Sequence, residues 1–304
     1  MEATKKHLIT VVGPTAIGKT AMAIQLAQHF NCEIISCDSR QFFKEMTIGT
    51  AVPSAEELAF VPHHFIQNKS IFEKYTVGDF EKEAIEKLDE LFLKDDYVIL
   101  VGGSGLYVDA VLKGFDDFPE VDPAIRISLT EKFEEFGISY LQDELRKLDP
   151  IYYDIVDSEN PQRLMRALEV SIGSGKPYFS FLHQKKNERR FTSIKIGLEA
   201  PRQTIYDRIN LRVDIMITEG LLEEARNLYS FKDLNALQTV GYRELFAYLN
   251  GEFTLDFAIS EIKKNTRRFA KRQLTWFKKD VETSWFEIIE ADKVFDYIEK
   301  KVNS

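Results

Sequence analysis

The stretch Val11-Val12-Gly13-Pro14-Thr15-Ala16-Ile17-Gly18-Lys19-Thr20, VVGPTAIGKT, has the form G-x-x-x-x-G-K-S/T between an apolar run and a helical pattern. A loop of this kind gathers backbone N–H groups at the positive end of a helix, with a lysine directed inward, so its expected ligand is a phosphate. Gly13 and Gly18 permit a backbone geometry and a close approach that side chains obstruct. Lys19 supplies a point charge for terminal phosphates, and Thr20 a hydroxyl for a magnesium ion. The loop announces phosphate binding without saying which molecule carries the phosphate.

Working outward, HLITVVG followed by KTAMAIQLAQHF reads as strand, loop and helix, and CEIISCD as a second buried strand. A period of 3.6 then runs through FEKEAIEKLDELFLK, before the strand YVILVGG. Strands alternating with helices predict an α/β fold: a P-loop NTPase-like parallel sheet flanked by helices, with the loop at its carboxyl edge. From about Phe115 the texture changes. Asp122-Pro123 and Asn160-Pro161 are helix starts, with a capping side chain followed by proline at the first helical position, and Gly173 and Gly175 end the second helix. SIKIGLE returns to strand character and ETSWFEII does so weakly. The reading predicts a catalytic core of residues 1–114 and 194–304, interrupted by a helical insertion of residues 115–193.

With 304 residues, 44% of them hydrophobic, the chain can bury a large core. No apolar run approaches the roughly 20 residues of a membrane span, and MEATKKHLIT leaves no room for a signal peptide's charged and apolar regions. The expectation is a cytoplasmic protein. Its two cysteines, Cys32 and Cys37, read as reduced core residues and exclude a cysteine-rich zinc module. Adjacent His63 and His64 in VPHHF point to opposite sides of an extended segment, so they are poor joint metal ligands and are expected to fix the chain by hydrogen bonds.

The net charge of −9 argues against a general nucleic-acid binder, but its distribution is uneven. Between Glu261 and Asp280 lie Lys263, Lys264, Arg267, Arg268, Lys271, Arg272, Lys278 and Lys279 without an intervening acid. Ile259, Ile262, Phe269 and Trp276, with Thr266 and Gln273 between them, predict one packed helix face and a cationic outer face able to meet an RNA backbone.

ATP hydrolases with this loop usually carry an acid at the end of a neighbouring strand to help hold magnesium. The strand YVILVGGSGLYV ends without one; the acid is Asp38, in IISCDSRQFF. There it can cap a turn, or serve as a general base or metal partner beside bound phosphates.

The segments GPTAIGKT, IISCDSRQ, TIGTA, PHHF, VGGSGLYV, NPQRLMRALEV and VGYRE occur in the order found in the tRNA isopentenyltransferase (dimethylallyltransferase) family, which the chain resembles from the loop to at least Lys279. The resemblance implies that the loop, Gly13, Pro14, Thr15, Ala16, Ile17, Gly18, Lys19 and Thr20, holds the diphosphate of dimethylallyl diphosphate, with Mg2+ on Thr20. The acceptor it implies is N6 of the adenosine immediately 3′ of the anticodon in tRNA. Asp38 matches the family's base, and Arg226, in EGLLEEARNLY, its diphosphate-contacting arginine. Asp38, Ser39, Arg40 and Gln41 match residues that read the base and its neighbours. Ser104, Arg126 and the run Gln162, Arg163, Leu164, Met165 and Arg166 match tRNA-contacting positions, of which Arg163 and Arg166 lie three apart on one helix. Arg267, Arg268 and Lys271 of the basic run complete the expected RNA surface. The implied partner is the anticodon stem-loop, bound by a monomer.

Ser104 stands where the family has threonine, Phe43 where tyrosine is frequent, Val52 in place of the lysine of GTAKPS, and Thr239 in place of cysteine. None of these touches Lys19, Thr20, Asp38 or Arg226. Two rivals share the loop: a prenyltransferase acting on free adenylate, which needs little RNA surface, and a small-molecule kinase that places ATP there.

Overall fold

The computed structural model describes residues 5–116, 118–182 and 188–303. The elements run β1 (His7–Val12), α1 (Lys19–His29), β2 (Ile34–Ser36), α2 (Ala55–Phe60), β3 (His63–His64), α3 (Val77–Leu91), β4 (Tyr97–Val101), α4 (Gly105–Lys113), α5 (Pro123–Phe136), α6 (Ile138–Leu148), α7 (Pro150–Tyr153), α8 (Pro161–Ser174), β5 (Thr192–Glu199), α9 (Arg202–Thr218), α10 (Leu221–Leu228), α11 (Tyr242–Leu249), α12 (Leu255–Phe277), β6 (Ser284–Glu287) and α13 (Ala291–Val302).

The six strands form one parallel sheet in the order β3-β2-β4-β1-β5-β6. All six residues of β1 are buried, which is why a continuous apolar run encodes it rather than an alternating one. Its side chains still alternate between faces. Ile9 and Val11 join one core with Ile99, Ile194 and Ile196, while Leu8 and Val12 join another with Ile35, Val98 and Leu100. Each such aliphatic side chain contributes roughly 1.5–3 kcal/mol by leaving water. Chain reversal around β1, which has β4 on one side and β5 on the other, leaves the loop after β1 at the point where ligands bind in open α/β sheets.

The chain separates into two compact units, Met1–Leu112 with Arg189–Ser304, and Lys113–Glu188. The expected insertion, 115–193, ran too far at its C-terminal end. Thr192 and Ser193 already pair with His7 and Leu8 and belong to the sheet. Residues 117 and 183–187 of that expectation lie outside the described residues. The second unit packs Leu129, Leu141, Leu145, Leu164, Met165 and Leu168 into a core of its own. Its helices start where the sequence places them: Asp122 accepts from the Ala124 amide and Asn160 from that of Arg163. Gly175, at φ 68°, caps α8, whereas Gly173 lies inside the helix, against Val121.

Cys32 and Cys37 are buried thiols, and burial pushes Cys32 up to about 12. His63 Nδ1 lies 2.8 Å from the Val61 carbonyl and His64 Nε2 2.6 Å from Glu33 Oε2, so both rings anchor their segment. Among the described residues no group of three His, Cys, Asp or Glu side chains could hold a metal ion, and no helix is long and apolar enough to cross a membrane.

Candidate active site

The loop from Gly13 to Thr20 leaves the end of β1 and enters α1. Gly13, at φ 149°, passes so close to β5 that a Cβ would lie 2.7 Å from the Leu198 carbonyl oxygen, and Gly18 opens the helix at φ 109°. The side chains of Ala16 and Ile17 are buried beneath the loop, so these residues can offer a ligand only backbone groups. Lys19 Nζ donates to the Pro14 carbonyl at 2.9 Å. Burial, the largest cause, brings its ammonium down to about 8; Arg212 lowers it further and Asp38 opposes both. A half-buried cation with no carboxylate among the described residues in hydrogen-bonding contact is a site that gains from an anion.

Asp38 follows β2, at the same sheet edge. Its Oδ1 accepts the Arg40 amide at 3.0 Å, so the capping role and exposure to the site coexist in one carboxylate. The Ser39 amide donates to Ser104 Oγ at 3.0 Å, and that hydroxyl donates to Ser39 Oγ at 3.1 Å, tying the turn after β2 to the turn after β4. Arg40 reaches the Asn235 carbonyl, at 3.0 Å. Gln41 is committed to structure: Nε2 donates to the carbonyls of Thr50 and Ala51, at 3.2 and 2.9 Å. A base-reading role for Gln41 therefore runs through the shape of the 49–51 loop it holds.

A cavity of about 250 Å³ takes in Asp38, Ser39, Arg40 and Ser104; of the phosphate loop Thr15 lines it, while Lys19 and Thr20 do not. Thr15, Asp38, Ser39, Ser104 and Arg212 supply its polar lining, and Ile209, Val213, Met216, Leu221, Val240 and Phe269 its apolar lining. Such a cavity suits a ligand with a charged head and a short hydrocarbon tail.

Arginines stand at two places in this region. Arg226 sits half-exposed on α10, paired with Glu223 at 2.5 Å, and is not among the residues that line the cavity. The guanidinium groups at the loop come from α9: Arg208 Nε donates to the Ala16 carbonyl at 2.7 Å, and Arg212 lines the cavity. Their spacing of four residues in YDRINLRVD, on one helix face, was the available signal.

Two further expectations change. Leu164 and Met165 are buried in the core of the second unit and cannot touch RNA. Their neighbours Gln162, Arg163 and Arg166 are exposed; Glu169 holds Arg166 at 3.5 Å and Arg126 at 3.1 Å, and Arg126 also donates to Gln162 at 2.8 Å. On α12 the buried face is Ala258, Ile262, Ala270, Gln273 and Phe277, while Phe269 and Trp276 are partly exposed. Arg267 is tied to Asn210 at 2.7 Å and lies over the Tyr206 ring, Lys263 pairs with Asp214, Lys264 with Glu261 and Lys278 with Glu199. Arg268, Lys271, Arg272 and Lys279 remain exposed.

Known proteins place these features in one family. The family model described as IPP transferase matches residues 41–280. The tRNA dimethylallyltransferase of Flavobacterium johnsoniae is 65% identical over 98% of this chain and 99% of its own. The full-length tRNA isopentenylpyrophosphate transferase of Bacillus halodurans superposes with a TM-score of 0.73 at 38% identity, covering 98% of this chain and 97% of that one. A eukaryotic dimethylallyltransferase solved acting on tRNA gives a TM-score of 0.77 at 25% identity, covering 93% of this chain and 74% of that one. The parallel sheet with its phosphate loop, and sequence likeness along nearly the whole chain, make this protein a member of the IPP transferase family.

Proposed function

We infer that the chain is a tRNA dimethylallyltransferase, moving the dimethylallyl group of dimethylallyl diphosphate to N6 of the adenosine immediately 3′ of the anticodon and releasing diphosphate. The observation that carries this reading is a single cavity bringing Asp38 and Arg212 together with the loop residue Thr15 and an apolar wall.

An exocyclic adenine amine is a weak nucleophile, since its lone pair is delocalised into the ring. Asp38 accepts its proton as the C–N bond forms. The allylic carbon–oxygen bond breaks with negative charge growing on the diphosphate. The backbone amides of Gly13 and of Ala16 to Thr20, with Lys19, Arg208 and Arg212, meet that charge. The hydrocarbon tail lies along Ile209, Val213, Met216 and Leu221. Thr20, at the second residue of α1, offers one hydroxyl to Mg2+. Magnesium commonly takes one or two protein oxygens and fills the rest of its shell with phosphate oxygens and water, so a single hydroxyl at Thr20 would fit it. Held at Thr20, it would supply positive charge beside the leaving diphosphate.

The adenosine must leave its stack to reach Asp38, at a cost of a few kcal/mol. Arg268, Lys271 and Arg272 on α12, and Arg126, Gln162, Arg163 and Arg166 of the second unit, bind the anticodon stem-loop and offset it. These two sets of polar and cationic residues, each on its own unit, favour tRNA over free adenylate. Every group in this scheme comes from one chain, so a monomer acting in the cytoplasm suffices. The test is to digest tRNA after incubation with dimethylallyl diphosphate and Mg2+: N6-dimethylallyladenosine at the position 3′ of the anticodon, in step with diphosphate release, supports the reading. Diphosphate release with unmodified tRNA contradicts it.

A further inference from the structure

Gln273 lies on α12 among the cationic residues but faces inward, 5% exposed. Its Oε1 accepts the backbone N–H of Thr15 at 2.8 Å, and its Nε2 donates to the Gly103 carbonyl at 2.9 Å. One side-chain amide thus joins the phosphate loop after β1 to the turn after β4. The fit leaves no slack: a Cβ on Gly103 would lie 2.3 Å from Gln273 Nε2, and 3.6 Å from Lys19 Nζ. From Gly103 the connection continues through Ser104 to Ser39, the residue after Asp38.

We propose that Gln273 is a positioning residue for the diphosphate donor, fixing the phosphate loop relative to the turn beside Lys19 so that loop amides and lysine converge on one anion. The proposal rests on the reading that the loop holds the donor's diphosphate. A carboxamide is the side chain the position requires, because Thr15 presents a donor and Gly103 an acceptor. Glutamate keeps the first bond, turns the second into a repulsion and adds a negative charge next to the anion site. Methionine keeps the volume and loses both bonds.

The experiment compares Gln273→Met and Gln273→Glu with the natural chain, measuring inorganic diphosphate binding by titration calorimetry, KM for dimethylallyl diphosphate, kcat and tRNA affinity. Gln273→Met is expected to weaken diphosphate binding and raise the donor KM about tenfold, as loss of one oriented contact does, and Gln273→Glu to do so further. Affinity for tRNA should stay as it was. A second variant reaches the same contact from its other side. Gly103→Ala should reproduce the donor defect, and the Gly103→Ala/Gln273→Met pair should fall short of the product of the two single effects. Unchanged diphosphate affinity in Gln273→Met, or equal losses in donor affinity, tRNA affinity and kcat, would overturn the proposal while leaving the enzyme assignment intact. Failure of the natural chain to bind diphosphate would overturn the donor-site reading and this proposal with it.

Discussion

Tyr242 Oη donates to Glu224 Oε1 at 2.6 Å, and the same carboxylate accepts the backbone amides of Thr47, Ile48 and Gly49 at 3.0, 2.8 and 2.9 Å. One acid from α10 and one phenol from α11 therefore set the loop whose next residues, Thr50 and Ala51, line the cavity with Asp38. Glu224→Ala leaves three loop amides without their acceptor and should cost about 2–3 kcal/mol of stability. Tyr242→Phe removes one donor of four and should cost about 1 kcal/mol. Denaturant unfolding measures both; equal losses would show that the hydroxyl matters as much as all three amides, and no loss in Tyr242→Phe that the ring, which packs on Gly49, is what counts.

Two arginines, Arg212 at the cavity wall and Arg226 on α10, give a direct contrast. Arg212→Ala removes a half-buried cation from the cavity wall and should lower kcat/KM by about 10²-fold or more, as loss of one preorganised group at developing charge does. Arg226→Ala breaks a solvent-exposed pair with Glu223 and should change transfer by less than about threefold. The reverse ranking would restore Arg226 to the site.

Asp38→Asn keeps Oδ1 for the Arg40 amide, and so the turn, but removes the proton acceptor. Single-turnover transfer is expected to drop by about 10²-fold or more with donor affinity nearly unchanged. A near-normal rate would remove Asp38 from the chemistry.

Lys19 sets a pH dependence whose sign follows from its depressed value. Burial holds it near 8 against an ordinary 10.5, and a bound diphosphate stabilises the charged form and raises it. Binding then takes up a proton between those values. Donor affinity should be highest below pH 8 and fall as pH rises through it, by at most about tenfold per unit. A Lys19→Met variant should bind weakly and lack that decline; a decline preserved in the variant would assign it to the ligand.

RNA binding by the outer face of α12 is an electrostatic claim. Removing charge at Arg268 and Lys271 together should flatten the slope of log tRNA affinity against log salt by about 1–2. Arg267→Gln should do little to the slope and more to stability, because that guanidinium is tied to Asn210 and Tyr206.

The sequence exposed whatever is local. The loop, the helix starts at Asp122 and Asn160 and the continuous apolar strands each have a short-range cause: a backbone geometry, a cap or burial on both faces. It misled where an assignment depended on which way a helix faces in three dimensions. EEARNLY and YDRINLR are both helical segments with arginine, and only the packing of α9 beside the loop reveals that Arg208 and Arg212 lie there as well. Leu164 and Met165 sit within a polar run whose face toward the core of the second unit no motif reveals. Gln273 was legible only as a spacer in an apolar rhythm, since its partners, Thr15 and Gly103, are 258 and 170 residues away.

The most direct test of the assignment is transfer of label from dimethylallyl diphosphate with Mg2+, offering unmodified tRNA and AMP, ADP or ATP in parallel. The account requires label in tRNA alone, abolished by Asp38→Asn. Label in a free nucleotide, or in neither acceptor, would contradict it.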